Sequence, residues 1–254
     1  MTDPTPTSPL ALMLFTAHTR NLPVAAIPGA LTPDSAEAAY RVQDELLRLR
    51  ASRIKGWKVG GRIPPGPGQA APLPGEGVMA SPGRWPRARQ RLLGLELELG
   101  FQFGRPFEPR AAVFGEAEVL GGLKSMMATI EVVVTRCAQW PAVDKLVQLA
   151  DLQNHGALVL GETAPYRLDF PFEAPDIAWQ FNGVDFEPRQ SINPAGDPRS
   201  LLVWVVNHCS ARGIRIEENT VITTGSYTGL HLPTTAGTAI GRFGDLPAVQ
   251  LTLT

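Results

Sequence analysis

The stretch GLELELGF, Gly94–Phe101, sets Leu95, Leu97 and Leu99 in alternation with Glu96 and Glu98. Read with a period of two, the leucines fall on one face of a strand and both carboxylates on the other. One reading is a half-buried strand with a wet outer face. The other is a cation site, because carboxylates side by side on one face repel unless a cation lies between them.

Working outward, ATIEVVVTRC (Ala128–Cys137) is a second strand, rich in β-branched residues. Glu131 lies inside it between Ile130 and Val132, where burial on both faces is expected. A buried carboxylate is costly unless it is paired or metal-bound. Arg136 is a structural partner at hand; the alternative is a shared site with Glu96 and Glu98. Three carboxylates make an all-oxygen donor set, which suits the hard cations Mg²⁺ or Mn²⁺ over zinc and leaves coordination positions open. None of His18, His155, His208 and His231 has metal-motif spacing.

Composition bounds the rest. The 254 residues are 44% hydrophobic and 19% charged, enough for a substantial core. A formal net charge of −1 and a pI near 6.4 give no basic surface for nucleic acid. Cys137 and Cys209 each sit in an apolar run and read as reduced core thiols. The N-terminal LALMLF is short and follows an acid and prolines, so it reads neither as a signal peptide nor as a membrane span. A cytoplasmic protein is expected.

Thr32-Pro33 opens a helix that runs to about Ser52, preceded by a shorter helix from Pro9 to about His18. IKGWKVGGRI (Ile54–Ile63) is a strand that ends in glycines. From Pro64 to Gly75 the sequence is PPGPGQAAPLPG, whose prolines and glycines predict a mobile loop or lid that covers the site when ligand binds. DKLVQLADLQNHGALVLG reads as a short helix, a polar turn and a buried strand. DIAWQFNGVDFE is a hairpin about Asn182-Gly183, PRSLLVWVVNHCSARG a buried helix stopped by Gly213, and the tail alternates strands and turns. The fold class is α+β, with a helical segment plus first strand over 1–62 and a β-dominated part over 63–254, packed as one unit.

Two further segments are candidates for chemistry. Lys58, in KGWKVGG, is either a solvated strand lysine or the cation that a site with three carboxylates, one divalent ion and an anionic substrate requires, with Lys55 and Arg62 as lesser options. TTGSYTG (Thr223–Gly229) is either an ordinary turn or a backbone cradle for a carboxylate.

Taken in order, AYRVQ, GWKVGG, GLELELGF, ATIEVVVTR, LADLQNHGALVLG, VITTGSYTG and AGTAIGRFGDLPAVQL resemble the fumarylacetoacetate hydrolase superfamily, in its 2-keto-4-pentenoate hydratase branch. The resemblance implies a mixed β-roll or β-sandwich with N-terminal helices. It implies Mg²⁺ or Mn²⁺ on Glu96, Glu98 and Glu131, Lys58 as the catalytic and substrate-binding lysine, and Gly225 and Ser226 holding the substrate carboxylate. It implies a homo-oligomeric enzyme of aromatic catabolism acting on a small 2-oxo acid. The reaction it implies first is that of a hydro-lyase adding water to a short 2-hydroxydienoate or 2-oxoalkenoate through a metal-stabilised enolate. The same centre serves decarboxylation of an unsaturated 2-oxo diacid or C–C hydrolysis of an acylpyruvate, and a non-catalytic partner subunit is a further reading. The chain departs from the hydratases where they carry acidic residues after the equivalent of Gly77: here Ala80 and Ser81 follow in GVMASPGRW. DLQNHG and EVVVTR also stand where DNAS-like and EVVDSR segments are usual.

Overall fold

The computed structural model describes residues 7–61, 66, 68–87, 92–186 and 192–254. Two helices lead, α1 (Pro9–Arg20) and α2 (Ala36–Leu49). Strands β1 (Ile54–Gly60), β2 (Gln69–Pro74), β3 (Val78–Ala80), β4 (Gly83–Trp85) and β5 (Leu93–Phe103) follow. Then come α3 (Glu116–Leu120), β6 (Leu123–Val134), α4 (Lys145–Ala150), β7 (His155–Leu160), β8 (Ala164–Pro165), β9 (Ile177–Phe181) and β10 (Val184–Asp185). The chain closes with α5 (Arg199–Ala211), β11 (Val221–Ser226), β12 (Gly237–Phe243) and β13 (Val249–Leu253).

The larger sheet has the order β2-β1-β11-β5-β6-β7-β3, with β8 also on β6, and the smaller runs β10-β9-β12-β13-β4. The long antiparallel pair β5–β6 forms the middle of the larger sheet, in register from Leu93↔Val134 to Gln102↔Ser125, with a shift before Phe103↔Leu123. Leu95, Leu97 and Leu99 are wholly buried, as the alternation requires of its apolar face. That face packs on the smaller sheet: a Cβ at Gly241 of β12 would run into the Leu97 side chain, so glycine there lets the two sheets approach closely. A second core gathers α1, α2 and α4 through Leu10, Leu14, Ala39, Leu46 and Val147, over Ala71 of β2. The NG hairpin forms as expected, with Asn182 and Gly183 at φ 53° and 74°, the left-handed pair of a type I′ turn.

Two expectations change. The second helix begins after Ser35, not Thr32, because the Ser35 hydroxyl accepts from Ala38 N at 3.2 Å. More consequentially, Gln69–Pro74, expected within a lid, is strand β2, antiparallel to β1 and almost wholly buried. Pro72 and Pro74 are tolerated because β2 ends the sheet among the described residues, where a missing N–H costs no ladder bond. Its edge is covered, with Gln43 Nε2 of α2 donating to Ala70 O at 3.2 Å and to Leu149 O at 2.7 Å. The remainder of the expected lid includes residues 62–65 and 67, outside the described residues, as is Arg62.

Candidate metal centre

The β5–β6 register sets Glu96 directly opposite Glu131, with Glu98 two positions along on the same face, opposite Thr129. One carboxylate oxygen from each lies within 4.8 Å of the others. Glu98 is 2% exposed, Glu131 0% and Glu96 partly buried, so the wet-face reading does not describe this strand.

Lys58 reaches the cluster from β1, which is not an edge: it lies between β2 and β11, parallel to the latter. Three strand steps separate β1 from β6, about 14 Å at roughly 4.8 Å each, a gap that two long side chains close only by extending toward one another. Lys58 Nζ donates to Glu131 Oε1 at 2.7 Å and to Gln153 O at 3.2 Å. An ammonium has three N–H groups, so one remains for a ligand. Lys55 is exposed and lies away from the cleft.

Glu131 has a second neighbour that its sequence surroundings did not suggest. His155 Nδ1 lies 3.0 Å from the same Oε1, leaving Glu131 Oε2 buried and unpartnered. Arg136, the expected partner of Glu131, instead binds Asp151, with Nε to Oδ1 at 2.6 Å and its own N–H to Oδ2 at 3.0 Å. It also donates to Asp151 O and His155 O, both at 2.6 Å, and so braces the turn between α4 and β7. In that turn Leu152, Gln153 and Asn154 all have positive φ, near 51°, 52° and 59°. Left-handed non-glycine residues are costly and cluster at functional sites. Here they aim the Gln153 carbonyl at Lys58.

Electrostatics follow from burial and charge. Burial pushes the Glu98 carboxyl up to about 8, with the charges of Glu131 and Glu96 adding to it. Burial likewise carries Glu96 to about 7, opposed by Lys58 and reinforced by Glu131. Burial would lift Glu131 too, but Lys58 and the hydrogen bond from His155 outweigh it and hold its pKa below the usual range. Burial disfavours the Lys58 ammonium, yet the three carboxylates together keep its pKa above normal. The cluster therefore holds an ionised Lys58–Glu131 pair beside two carboxyls whose hold on their protons burial strengthens, and with which a cation would compete. Three carboxylates with oxygens this close together, one of them carrying a buried and unpartnered oxygen, make a donor set that fits a hard divalent ion.

A cleft of about 400 Å³ opens over this cluster, lined by Lys58, Gln69, Glu96, Glu98, Lys145, Gln148, Gln153, Asn154, Gly225, Ser226 and others. Gly225, at φ 91°, sits where β11 bulges between Thr223 and Ser226. Its N–H donates to Glu98 Oε2 at 3.2 Å, so this part of the expected substrate cradle is occupied by the carboxylate. The Ser226 hydroxyl donates to Gly229 O at 3.2 Å and accepts from Thr228 N at 3.3 Å. Ala80 and Ser81 lie on and just after β3 and do not line this cleft. Of the residues singled out from sequence, the structure brings Glu96, Glu98, Glu131, Lys58, Gly225 and Ser226 together; sequence reading passed over His155, Gln153, Lys145 and the cleft amides, which carry no motif.

No protein-family model matches the chain, and no curated relative does. Solved structures do. The 4-oxalocrotonate decarboxylase of Pseudomonas putida G7, complexed with magnesium and adipate, is similar over 99% of both chains, with 17% identity and a TM-score of 0.82. The fumarylpyruvate hydrolase of Pseudomonas aeruginosa, in complex with Mn²⁺ and pyruvate, matches 80% of this chain and 90% of its own, with 14% identity and a TM-score of 0.55. The 2-hydroxyhepta-2,4-diene-1,7-dioate isomerase of Mycobacterium marinum matches 80% and 76%, with 15% identity and a TM-score of 0.53. The fold is fumarylacetoacetate-hydrolase-like. At these identities the likeness speaks for the fold, and it agrees with the α+β class and N-terminal helices expected from sequence. No helix among the described residues is long and apolar enough to cross a membrane.

Proposed function

We propose that this chain is a divalent-metal-dependent enzyme of short 2-oxo acids, using Mg²⁺ or Mn²⁺ on Glu96, Glu98 and Glu131, and that it decarboxylates an unsaturated 2-oxo diacid. The observation that carries the metal reading is the buried three-carboxylate cluster with its unpartnered Glu131 Oε2. A divalent ion there supplies Lewis-acid polarisation of the substrate's 2-oxo group. Lys58 keeps its third N–H for the oxygen on which negative charge develops, a stabilisation worth most in a dry site. Breaking the bond to the departing carboxylate sends its electron pair into the conjugated 2-oxo system as CO₂ leaves. The resulting dienolate then takes up a proton.

The choice among reactions rests on what else lines the cleft. Adding water to a double bond or cleaving an acylpyruvate needs a base that takes a proton from water. Outside the triad, the described lining residues offer no carboxylate or imidazole for this, and Lys58 is held protonated. Decarboxylation needs no such base. Lys145, an exposed cation at the same cleft, adds attraction for a doubly charged substrate. The overall likeness to the decarboxylase solved with adipate, itself a diacid, agrees with this reading. Hydration, the reaction first expected from the sequence resemblance, keeps one observation in its favour. Asn154 Oδ1 is buried without a donor beside the cleft and suits a bound water.

The test is a substrate screen with Mg²⁺ or Mn²⁺, following ultraviolet absorbance and CO₂ on dienols, unsaturated 2-oxo diacids and acylpyruvates. CO₂ release from a diacid, lost with chelator, is the expected result. Loss of dienol absorbance without CO₂ would assign hydration, and cleavage of an acylpyruvate would assign hydrolysis. Metal binding with no turnover on any class would favour the non-catalytic partner subunit.

A further inference from the structure

We propose that His155 is a positioning residue for Glu131, holding its carboxylate in the orientation that leaves Oε2 to the cation; this rests on the triad reading above. The β6–β7 ladder pairs Glu131↔Leu158 and Val132↔Ala157, then skips Gly156 so that Val133 faces His155. Paired residues point to the same face, and Val133 shares the face of Glu131. Without the skipped residue His155 would oppose Val134 and turn to the opposite face; the bulge is what brings the imidazole to the carboxylate. A Cβ at Gly156 would meet Val132 O and Val134 Cγ2 at 2.8 Å each, so the bulge position requires glycine. Arg136 Nη1, donating to His155 O at 2.6 Å, fixes the backbone there.

Two donors converge on one carboxylate oxygen. Lys58 Nζ and His155 Nδ1 both lie on Glu131 Oε1, at 2.7 and 3.0 Å, while Oε2 has no partner. An ionised carboxylate only accepts, so Nδ1 carries the ring proton. His155 Nε2, buried and unpartnered, is the bare nitrogen of a neutral imidazole. Lys58 alone would not fix Glu131, because a flexible ammonium can follow either oxygen and turns toward substrate when its third N–H is engaged. The rigid ring on β7 keeps the carboxylate's rotation while Lys58 works.

Mn²⁺ titrated calorimetrically into the full chain, His155→Asn and His155→Leu tests this. The asparagine amide offers an N–H near the place of Nδ1, whereas leucine fills the space without a donor. The expected result is a Kd weakened about 10–100-fold in His155→Leu and held within about threefold of the parent in His155→Asn. Equal Kd values in all three proteins, with only the metal-free Tm lowered, would mean a merely structural histidine and overturn the proposal. Absence of Mn²⁺ binding in the parent would overturn the triad reading and this one with it. Should His155→Leu fail to fold, ¹⁵N NMR of histidine-labelled parent decides. A protonated Nδ1 and bare Nε2, with and without Mg²⁺, are expected; the opposite tautomer would refute the role.

Discussion

Lys58 is the residue on which charge balance in the cleft turns. It is the cation paired with Glu131, and Glu96 and Glu98 stand beside that pair. Lys58→Met leaves a buried carboxylate with only His155, and breaking a buried pair from one side costs about 3–5 kcal/mol. Turnover should fall about 10²–10³-fold with loss of the N–H that stabilises the developing oxyanion, while Mn²⁺ affinity changes little. Full activity of Lys58→Met on the best substrate would remove its role. The two raised carboxyls give a separate pH signature. Folded Glu96 and Glu98 keep protons up to about 7 and 8, where the unfolded chain has released them above its ordinary value of 4.5. Stability from these groups is therefore full below that ordinary value and lost as pH rises through 7 and 8. His155, which is buried, and His18, His208 and His231 all have lowered pKa values and act in the opposite sense, but their effect is complete by about the unfolded histidine value of 6.5. Between pH 6.5 and 8.5, calorimetry of the metal-free protein should show a falling Tm, and a flat one in Glu96→Gln/Glu98→Gln. A Tm equally steep in that double variant would refute the assignment.

At the scale of elements, legibility tracked local pattern. The alternation of β5 and the β-branched run of β6 disclose strands because burial on one or both faces writes itself into residue type, and Glu131 is conspicuous because it breaks such a run. β2 was not legible: Ala71 is buried by helices distant in sequence and Leu73 by Leu158 and Val221 of other strands, and Pro72 and Pro74 read as loop until an edge position excuses them. His155 was hidden for a related reason, since its direction depends on a bulge, and register between strands is a tertiary property. The Gly156 bulge gives the test at this scale. Gly156→Ala forces Cβ against Val132 O and Val134, an overpacking worth about 1–3 kcal/mol. The measurement is Tm together with Mn²⁺ Kd. Both should suffer, because His155 is displaced with the strand; an unchanged Kd would show that the bulge does not serve the site.

At the scale of the whole molecule, strands β1, β5 and β11 of the larger sheet and helix α4 supply residues that line the cleft. Large apolar side chains such as Leu22, Val113, Leu168 and Ile192 remain exposed on the described surface. We propose on that ground, and from the sequence resemblance, that the chain assembles at least as a homodimer. Light scattering at micromolar concentration should give a mass of about twice 27.3 kDa or more, and a monomer mass would contradict it. Assembly would bear on stability, but the proposed function rests on an ion at the triad. Calorimetric titration of Mn²⁺, with oxalate present as a 2-oxo acid mimic, into the parent and into Glu96→Gln, Glu98→Gln and Glu131→Gln measures that directly. One ion per chain in the parent, and binding lost or severely weakened in each variant, is the predicted result; no binding to the parent, or binding that survives all three substitutions, would contradict the account.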